Sequence, residues 1–423
     1  MSDPAPAPGA GRGPGDALLA EGIVDPSPPS KEVLDAHAAG LPRLSRRPGV
    51  AVVVPIYTAG PVLGACLDSL AAHSAGAEIV LVDDSRRDPE VREACERFLG
   101  AWPESRMVAN EGNLGFVASV NAGIRASDPE RDVVLLNSDT VVTRGWLEKL
   151  SVAAHVRDDV ATVVPLSNAA DVFSLPEDRV DNPLPVGWSA DLCNLALEHV
   201  APRMYEALPA TSGFCQYLRR AAIDAVGVFD DRLFHRGYGE DNDFCARTTA
   251  AGFVHVIDDA TFIYHQRTAS FAARKALLSR PNKAVLRALH PSHVEASLEW
   301  ERGSRLGALR RAYAEAVVAL EPLGVGEAER ALRPGPTTLR VAGREGQSPT
   351  RADAAARVVT LTLEDSAAEV DLFGLARRRL GDDPNRLGLA SWLVNRWRVE
   401  RLELADGVLS GRAEAALRAG WGL

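Results

Sequence analysis

The feature that most constrains this chain is a continuous apolar run, Ala51 to Ile56 (AVVVPI), β-branched at its centre. Such a run suits a strand covered on both faces, as in a parallel sheet clad with helices. Glu78 to Val82 (EIVLV) and Val133 to Leu136 (VVLL) repeat the pattern, and a shorter strand is expected near Arg106 to Ala109. Between these runs lie stretches of helical character: Val62 to His73, with Leu63, Cys66, Leu67 and Leu70 in register, then Pro89 to Leu99 and Phe116 to Ala126. The alternation predicts an open, mostly parallel α/β sheet with helices on both faces. Ligands of such sheets sit at the carboxyl ends of the strands. Those ends carry Tyr57-Thr58, Asp83-Asp84-Ser85 and Asn137-Ser138-Asp139. One polar strand end is ordinary; three in succession mark a candidate site.

The length, 423 residues, implies two or three domains. Residues 1–46 read as a disordered tail, rich in Pro, Gly and Ala, with a lead-in helix over 31–46. Residues 47–272 form the α/β domain, and within it 150–210 are expected to be loop-rich because of Pro165, Pro176, Pro183, Pro185, Pro202 and Pro209. Residues 273–335 read as a helical extension and linker, with Leu277, Leu278, Val285, Leu286 and Leu289 recurring. The linker character, from prolines and glycines, runs over Leu332 to Thr350. Residues 336–423 are a small C-terminal module with strand-like pieces at Arg357 to Leu363 and Val399 to Leu404, and self-association or acceptor binding are roles it could serve.

Charge and cysteine content narrow the partners. Asp plus Glu number 57 against 47 Lys plus Arg, a net charge of −10, which argues against nucleic acid. The five cysteines are scattered without CxxC or zinc-like spacing and read as buried free thiols. No apolar run reaches the roughly 20 residues of a membrane span, and no signal peptide is visible, so a cytoplasmic location is expected, with a peripheral membrane position open.

Four constellations could carry chemistry. Asp139, at a strand end, can reach a divalent cation, although Asp in that place also caps helices and forms turns. Gly239-Glu240-Asp241-Asn242-Asp243 opens a helix in which Asp241 shares the face of Phe244 and Cys245, with Glu240 and Asp243 elsewhere on the turn. Acids favour helix starts in any case. An Asp there is expected to stay ionised at neutral pH, as a general base requires. His265 follows two short strand-like pieces, Val254 to Ile257 and Phe262-Ile263, and a lone His is often structural. Asn110 to Asn121 (NEGNLGFVASVN) is a glycine-bearing turn into a helix that could approach phosphate or sugar. His290 and His293 have no carboxylate near them in sequence and read as structural or incidental.

Taken in order, these pieces resemble the family 2 inverting glycosyltransferases of GT-A fold, and most the subgroup of rhamnosyltransferases and other polysaccharide-building enzymes. The resemblance is carried by Val52-Val53-Val54-Pro55-Ile56-Tyr57, Val82-Asp83-Asp84-Ser85, Asn113-Leu114-Gly115-Phe116, Leu135-Leu136-Asn137-Ser138-Asp139, Thr211-Ser212-Gly213-Phe214, Gly227-Val228-Phe229-Asp230, the Gly239 to Arg247 segment and Tyr264-His265. It covers about residues 48–272. It implies a GT-A domain, Rossmann-like, ahead of the helical extension and the C-terminal module. It implies that Pro55, Tyr57, Asp83, Asp84, Asn113, Gly115, Asn137 and Ser138 bind the nucleotide-sugar, that Asp139 and His265 hold Mn²⁺ or Mg²⁺, and that Asp241 is the catalytic base. Gly213, Phe214 and Glu240 then lie on the acceptor side. The donor would be a UDP-, GDP- or dTDP-sugar, and the acceptor a glycan, a lipid-linked sugar or a small molecule. Asn137 stands where the metal motif of the family often has Asp, which leaves one charge fewer. Two other readings share the α/β pattern: a non-catalytic nucleotide-sugar or glycan binder, which needs no base at Asp241, and a nucleotidyltransferase, which does not fit Tyr57-Thr58-Ala59-Gly60-Pro61 after the first strand.

Overall fold

The computed structural model describes residues 48–201, 203, 205–234, 237–267, 281–304 and 306–332, together with five strands between 337 and 404. The first half follows the expected alternation: β1 (Val50–Ile56), α1 (Pro61–His73), β2 (Glu78–Asp83), α2 (Pro89–Ala101), β3 (Ser105–Ala109), α3 (Phe116–Ala126) and β4 (Asp132–Leu136). β1 pairs in parallel with β2 and β4, and β2 with β3. Val52, Val54 and Ile56 enter one core with Leu63, Cys66 and Leu70 of α1, whereas Val53 enters a second core with Val117, Val120 and Ile124 of α3. Burial on both faces is why the strand reads as an unbroken apolar run.

The domain continues through β5 (Thr140–Val141), α4 (Trp146–His155), β6 (Val160–Ser167), α5 (Ala190–Val200), β7 (Ala207–Leu208), β8 (Cys215–Leu218), α6 (Arg220–Val226), α7 (Glu240–Ala250) and β9 (Val254–His265). The sheet order is β3-β2-β1-β4-β8-β6-β9-β5, with β7 on β9. β8 runs antiparallel to both β4 and β6, while β6 and β9 are parallel. The sheet is thus mostly parallel, with helices on both faces.

Residues 150–210 are loop-rich as expected, with about half of them outside helix and strand, yet they also hold most of α4 and all of β6 and α5, and β6 is buried along its whole length. Pro165 misleads in sequence but sits where the register against β9 shifts, a bulge that tolerates a missing N–H. β9 is one long strand rather than two pieces. Asp258 and Asp259 interrupt its apolar pattern, and the Asp258 carboxylate is satisfied by Ala260 N at 3.0 Å and Thr261 Oγ1 at 2.6 Å.

Helices α8 (281–289), α9 (Pro291–Gly303), α10 (Leu306–Leu320) and α11 (Val325–Leu332) form the extension. Leu306, Leu309, Tyr313, Ala316 and Leu320 of α10 join the core of the α/β domain, beside Leu192 and Ala196 of α5. A second sheet, β10 (Thr337–Gly343), β11 (Val358–Leu363), β12 (Ala368–Leu372), β13 (Ala376–Leu380) and β14 (Val399–Leu404), has the order β13-β12-β11-β10-β14. β10 lies inside the stretch expected to be linker. Its alternating Leu339 and Val341 are fully buried, a pattern the flanking prolines and glycines conceal. The tail, its lead-in helix, and Leu277 and Leu278 lie outside the described residues. Among the described residues no helix is long and apolar enough to cross a membrane, and the five thiols are free and buried.

Gly123 sets how closely α3 approaches β1 and β2. A Cβ there would run into Val53 Cγ1 and meet Val82 Cγ2 at 3.0 Å. Gly123→Ala is expected to lower stability by about 1–3 kcal/mol through overpacking. Urea unfolding measures this, and an unchanged midpoint would refute the close approach.

Candidate active site

The carboxyl ends of β1, β2 and β4 meet at one edge of the sheet. Asp83 and Asp84 are both buried there. Asp83 Oδ1 accepts from the backbone and hydroxyl of Ser85. Asp84 is drawn inward: Oδ1 accepts from Asn110 Nδ2 at 2.9 Å and Leu114 N at 2.7 Å, and Oδ2 from Gly115 N at 3.0 Å. Its carbonyl also accepts from Asn113 Nδ2 at 3.2 Å. In this structure the carboxylate of Asp84 thus shapes the Asn113 to Gly115 turn. Gly115 is held there at φ 86°, where a side chain would be strained, and α3 begins at the next residue. Tyr57, by contrast, is 47% exposed at the end of β1, next to half-buried Pro55.

Asn137, Ser138 and Asp139 are half-buried beyond β4. The backbone of Asn137 is fixed by Phe214 O at 2.9 Å and by Thr140 Oγ1 at 2.7 Å. β5 then pairs with the end of β9, Thr140 opposite His265, and Gln266 N donates to Asp139 O at 2.8 Å. This pairing puts Asp139 Oδ1 3.2 Å from His265 Nε2. The ring of His265 is held on its other sides. Nδ1 donates to Ala169 O at 2.8 Å, its backbone N donates to Asn168 Oδ1 at 2.8 Å, and Phe214 stacks on it at 5.4 Å with 15° between planes. The structure therefore brings together the two expected cation ligands. Asn168, which anchors His265, gives no signal in sequence.

The helix α7 presents the second half of the site. Asp241 is half-buried and accepts from Asn242 N at 2.8 Å and Asn242 Nδ2 at 2.9 Å. Phe116, Gly213, Gln216, Phe229, Glu240 and Asp241 line a narrow cleft. Gly213 lines the cleft and Phe214 stacks on His265, so one short segment links the two halves. Glu240 and Asp243 were expected elsewhere on the turn, yet both are more buried than Asp241. Asp243 bonds Arg247 Nε at 2.8 Å, and Arg247 in turn holds the carbonyls of Val226 and Val228. His290 Nε2 lies 2.8 Å from Asp243 Oδ1, and His293 Nε2 lies 3.3 Å from Asn242 Oδ1. The two histidines thus brace the acidic motif, a contact invisible in sequence because it joins separate helices.

Burial changes the protonation picture. It raises the Asp241 carboxyl above the usual carboxylate range, and the Asn242 side chain and nearby backbone N–H groups pull it back down. Helix-start placement alone, the basis for expecting an ordinary ionised Asp, leaves out this burial. Burial first, and the Asp241 charge second, push Glu240 up to about 8. Glu240 is then neutral at pH 7, which leaves one negative charge on the pair.

This has a consequence for stability. Between pH 4.5 and about 8 the folded chain keeps a proton on Glu240 that the unfolded chain has released. Stability therefore falls as pH rises through that window and levels off above it. Glu240→Gln removes the titration, so its stability relative to the native chain should improve from pH 5 to pH 8, by about 2–4 kcal/mol. Denaturant midpoints at the two pH values check this; equal pH dependence in both proteins would contradict it.

Residues 51–227 match the family described as Glycosyl transferase family 2. The N-acetylglucosaminyl-diphospho-decaprenol L-rhamnosyltransferase of Mycobacterium tuberculosis is 27% identical over 282 residues, 60% of this chain and 89% of that protein. Among solved structures, a mannosyltransferase of Pyrobaculum calidifontis in complex with GDP-Man and Mn²⁺ aligns with a TM-score of 0.44 and 16% identity, over 75% of this chain and 89% of the other. GalNAc-T7 with UDP, GalNAc and Mn²⁺ aligns at 0.42 and 14%, over 64% and 55%. The family match over residues 51–227, the sequence similarity to the rhamnosyltransferase and the sheet itself together support a glycosyltransferase that carries a family 2 domain.

Proposed function

We propose that this enzyme transfers a sugar from a nucleoside diphosphate donor to an acceptor hydroxyl in a single inverting displacement, with Asp241 as general base and a divalent cation held by Asp139 and His265. The observation that carries this reading is the 3.2 Å contact between Asp139 Oδ1 and His265 Nε2 at the carboxyl edge of the sheet. Ala169 O can only accept, so it takes the Nδ1 proton of His265. In the neutral ring Nε2 is then a lone pair facing a carboxylate. Two acceptors at that distance call for a cation or a proton between them, and an imidazole oriented through its other nitrogen is the usual form of a metal ligand.

The donor set fits Mn²⁺ or Mg²⁺ shared with a substrate. Among the described residues no group of three or more His, Cys, Asp or Glu gathers to hold a metal. Two protein ligands, with Asn137 offering at most a neutral oxygen, suit a cation that takes its remaining ligands from phosphate and water. When bound, the cation would neutralise charge on the departing nucleoside diphosphate.

The chain's own residues supply the rest. Asp241 accepts the proton of the attacking hydroxyl, and the two bonds from Asn242 fix the orientation of its carboxylate. Glu240, kept neutral, spares the cleft a second negative charge. Pro55 and Tyr57 at the end of β1, with Asp83, Asn113, Asn137 and Ser138, form the nucleotide-sugar side. Asp84 and Gly115 act there through the turn they build. Gly213, Phe214 and Glu240 form the acceptor side. The similarity to a rhamnosyltransferase with a lipid diphosphate acceptor supports a deoxyhexosyl or hexosyl donor and a lipid-linked or glycan acceptor.

Asp241→Asn is expected to lower kcat by about 10²–10⁴ while nucleotide affinity stays within a few-fold. Unchanged turnover removes Asp241 from the base role, and loss of nucleotide binding as well means that the variant reports on folding. NMR of the product as it forms should show the anomeric configuration inverted relative to the donor. Retention would contradict single displacement.

A further inference from the structure

We propose that Gln216 sets acceptor specificity: its side-chain oxygen receives a hydrogen bond from a second donor group, a hydroxyl or amide N–H, on the acceptor sugar whose hydroxyl Asp241 deprotonates. This rests on the transferase reading above and deepens it. Gln216 lies on β8 and is fully buried, yet it lines the same cleft as Asp241 and Glu240. Among the described residues its Oε1 has no hydrogen-bond partner, and neither has Glu240 Oε2. A buried amide oxygen left unmatched costs about 1–3 kcal/mol, and a ligand donor would recover that.

The orientation of the amide follows from a chain of hydrogen bonds behind it. Burial pushes His255 down to about 4, with smaller effects from the Cys245 carbonyl and His293, so its ring is neutral and carries one proton. Nε2 lies 3.0 Å from Cys245 O, which can only accept, so the proton is on Nε2. Nδ1 is therefore a lone pair, and it accepts from Thr162 Oγ1 at 2.8 Å. The Thr162 proton is then spent, so Thr211 Oγ1 donates to Thr162 Oγ1 at 2.8 Å. The Thr211 proton is spent in turn, and the group 2.6 Å from it must be the Gln216 –NH₂. Thr249 Oγ1 at 3.1 Å and Thr248 Oγ1 at 3.4 Å also approach His255 Nε2, and Cys245 Sγ lies 3.5 Å from Thr211 Oγ1, but the Cys245 carbonyl favours the proton on Nε2, and the chain then ends on Oε1, which has no partner among the described residues. Phe116 and Phe229 add apolar ring surface to the cleft, which suits a sugar face.

The test uses the full-length enzyme and a panel of p-nitrophenyl glycosides as acceptors, scored by nucleotide release over the rate without acceptor. Gln216→Met keeps the volume and removes the oxygen, together with the Nε2 donor to Thr211. With the glycoside that most stimulates the native enzyme, Gln216→Met should raise acceptor KM about tenfold and change donor KM by much less. Monodeoxy and deacetamido forms of that glycoside make the result independent of folding. One of them should lose about tenfold with the native enzyme and nothing further with Gln216→Met. An acceptor KM within twofold of native, or no analogue whose loss is cancelled by the variant, overturns the proposal. So does a native enzyme that no glycoside stimulates. In that case continued donor hydrolysis keeps the transferase reading, whereas absence of donor turnover removes it.

Discussion

The site depends on a two-residue strand. β5 pairs Thr140 with His265 and Val141 with Tyr264, and so brings the loop after β4 against the far end of β9. Neither Asp139 nor His265 is placed by its own neighbours in sequence. Asp139 is held by Gln266 N on its carbonyl, and His265 by Asn168 and Ala169 beyond β6. Thr143 adds a bond to Phe262 O at 2.7 Å across the same junction. Backbone bonds of this kind are modest singly, but together they fix two side chains within reach of one cation.

A second constraint is charge. Asp83, Asp84, Asp139, Glu240, Asp241 and Asp243 all stand near the carboxyl edge of a sheet that would receive a diphosphate. The structure removes most of this charge from the cleft by giving each group a different partner. Asp84 is consumed by the 113–115 turn, and Asp243 by Arg247 and His290. Glu240 is neutral because it is buried beside Asp241. Asp83 is held by Ser85 beside the strand end, and Asp139 and Asp241 stand on either side of the cleft. Bridging them, Gly213 lines the cleft beside Asp241 and Phe214 stacks on His265, so the two clusters are coupled through the backbone.

Sequence reading was most successful where a pattern has one physical cause. β1, β2 and β4 are covered on both faces, and their apolar runs state that directly. β6 was hidden because Pro165 sits at a bulge, and β9 was split because Asp258 and Asp259 interrupt its apolar pattern, Asp258 finding its partners at Ala260 and Thr261 within the strand. Asp139, Asp241 and His265 stand out in sequence through their order along the chain; the contact of Asp139 with His265 depends on β5 and could not be read there. Asn168, Gln216 and Asn242 were not legible, since an amide shows its role only through what its two ends face. His290 and His293 looked incidental for the same reason: their partners lie on α7, far away in sequence.

The claim at the centre of this account is that Asp139 and His265 share a cation. Mn²⁺ binding followed by electron paramagnetic resonance, with excess UDP, GDP or dTDP present, measures it without reference to turnover. Asp139→Asn and His265→Ala should each weaken Mn²⁺ binding by about tenfold or more, and the double variant by no more than the worse single one if they hold one ion. Native-like Mn²⁺ affinity in both single variants would contradict the account.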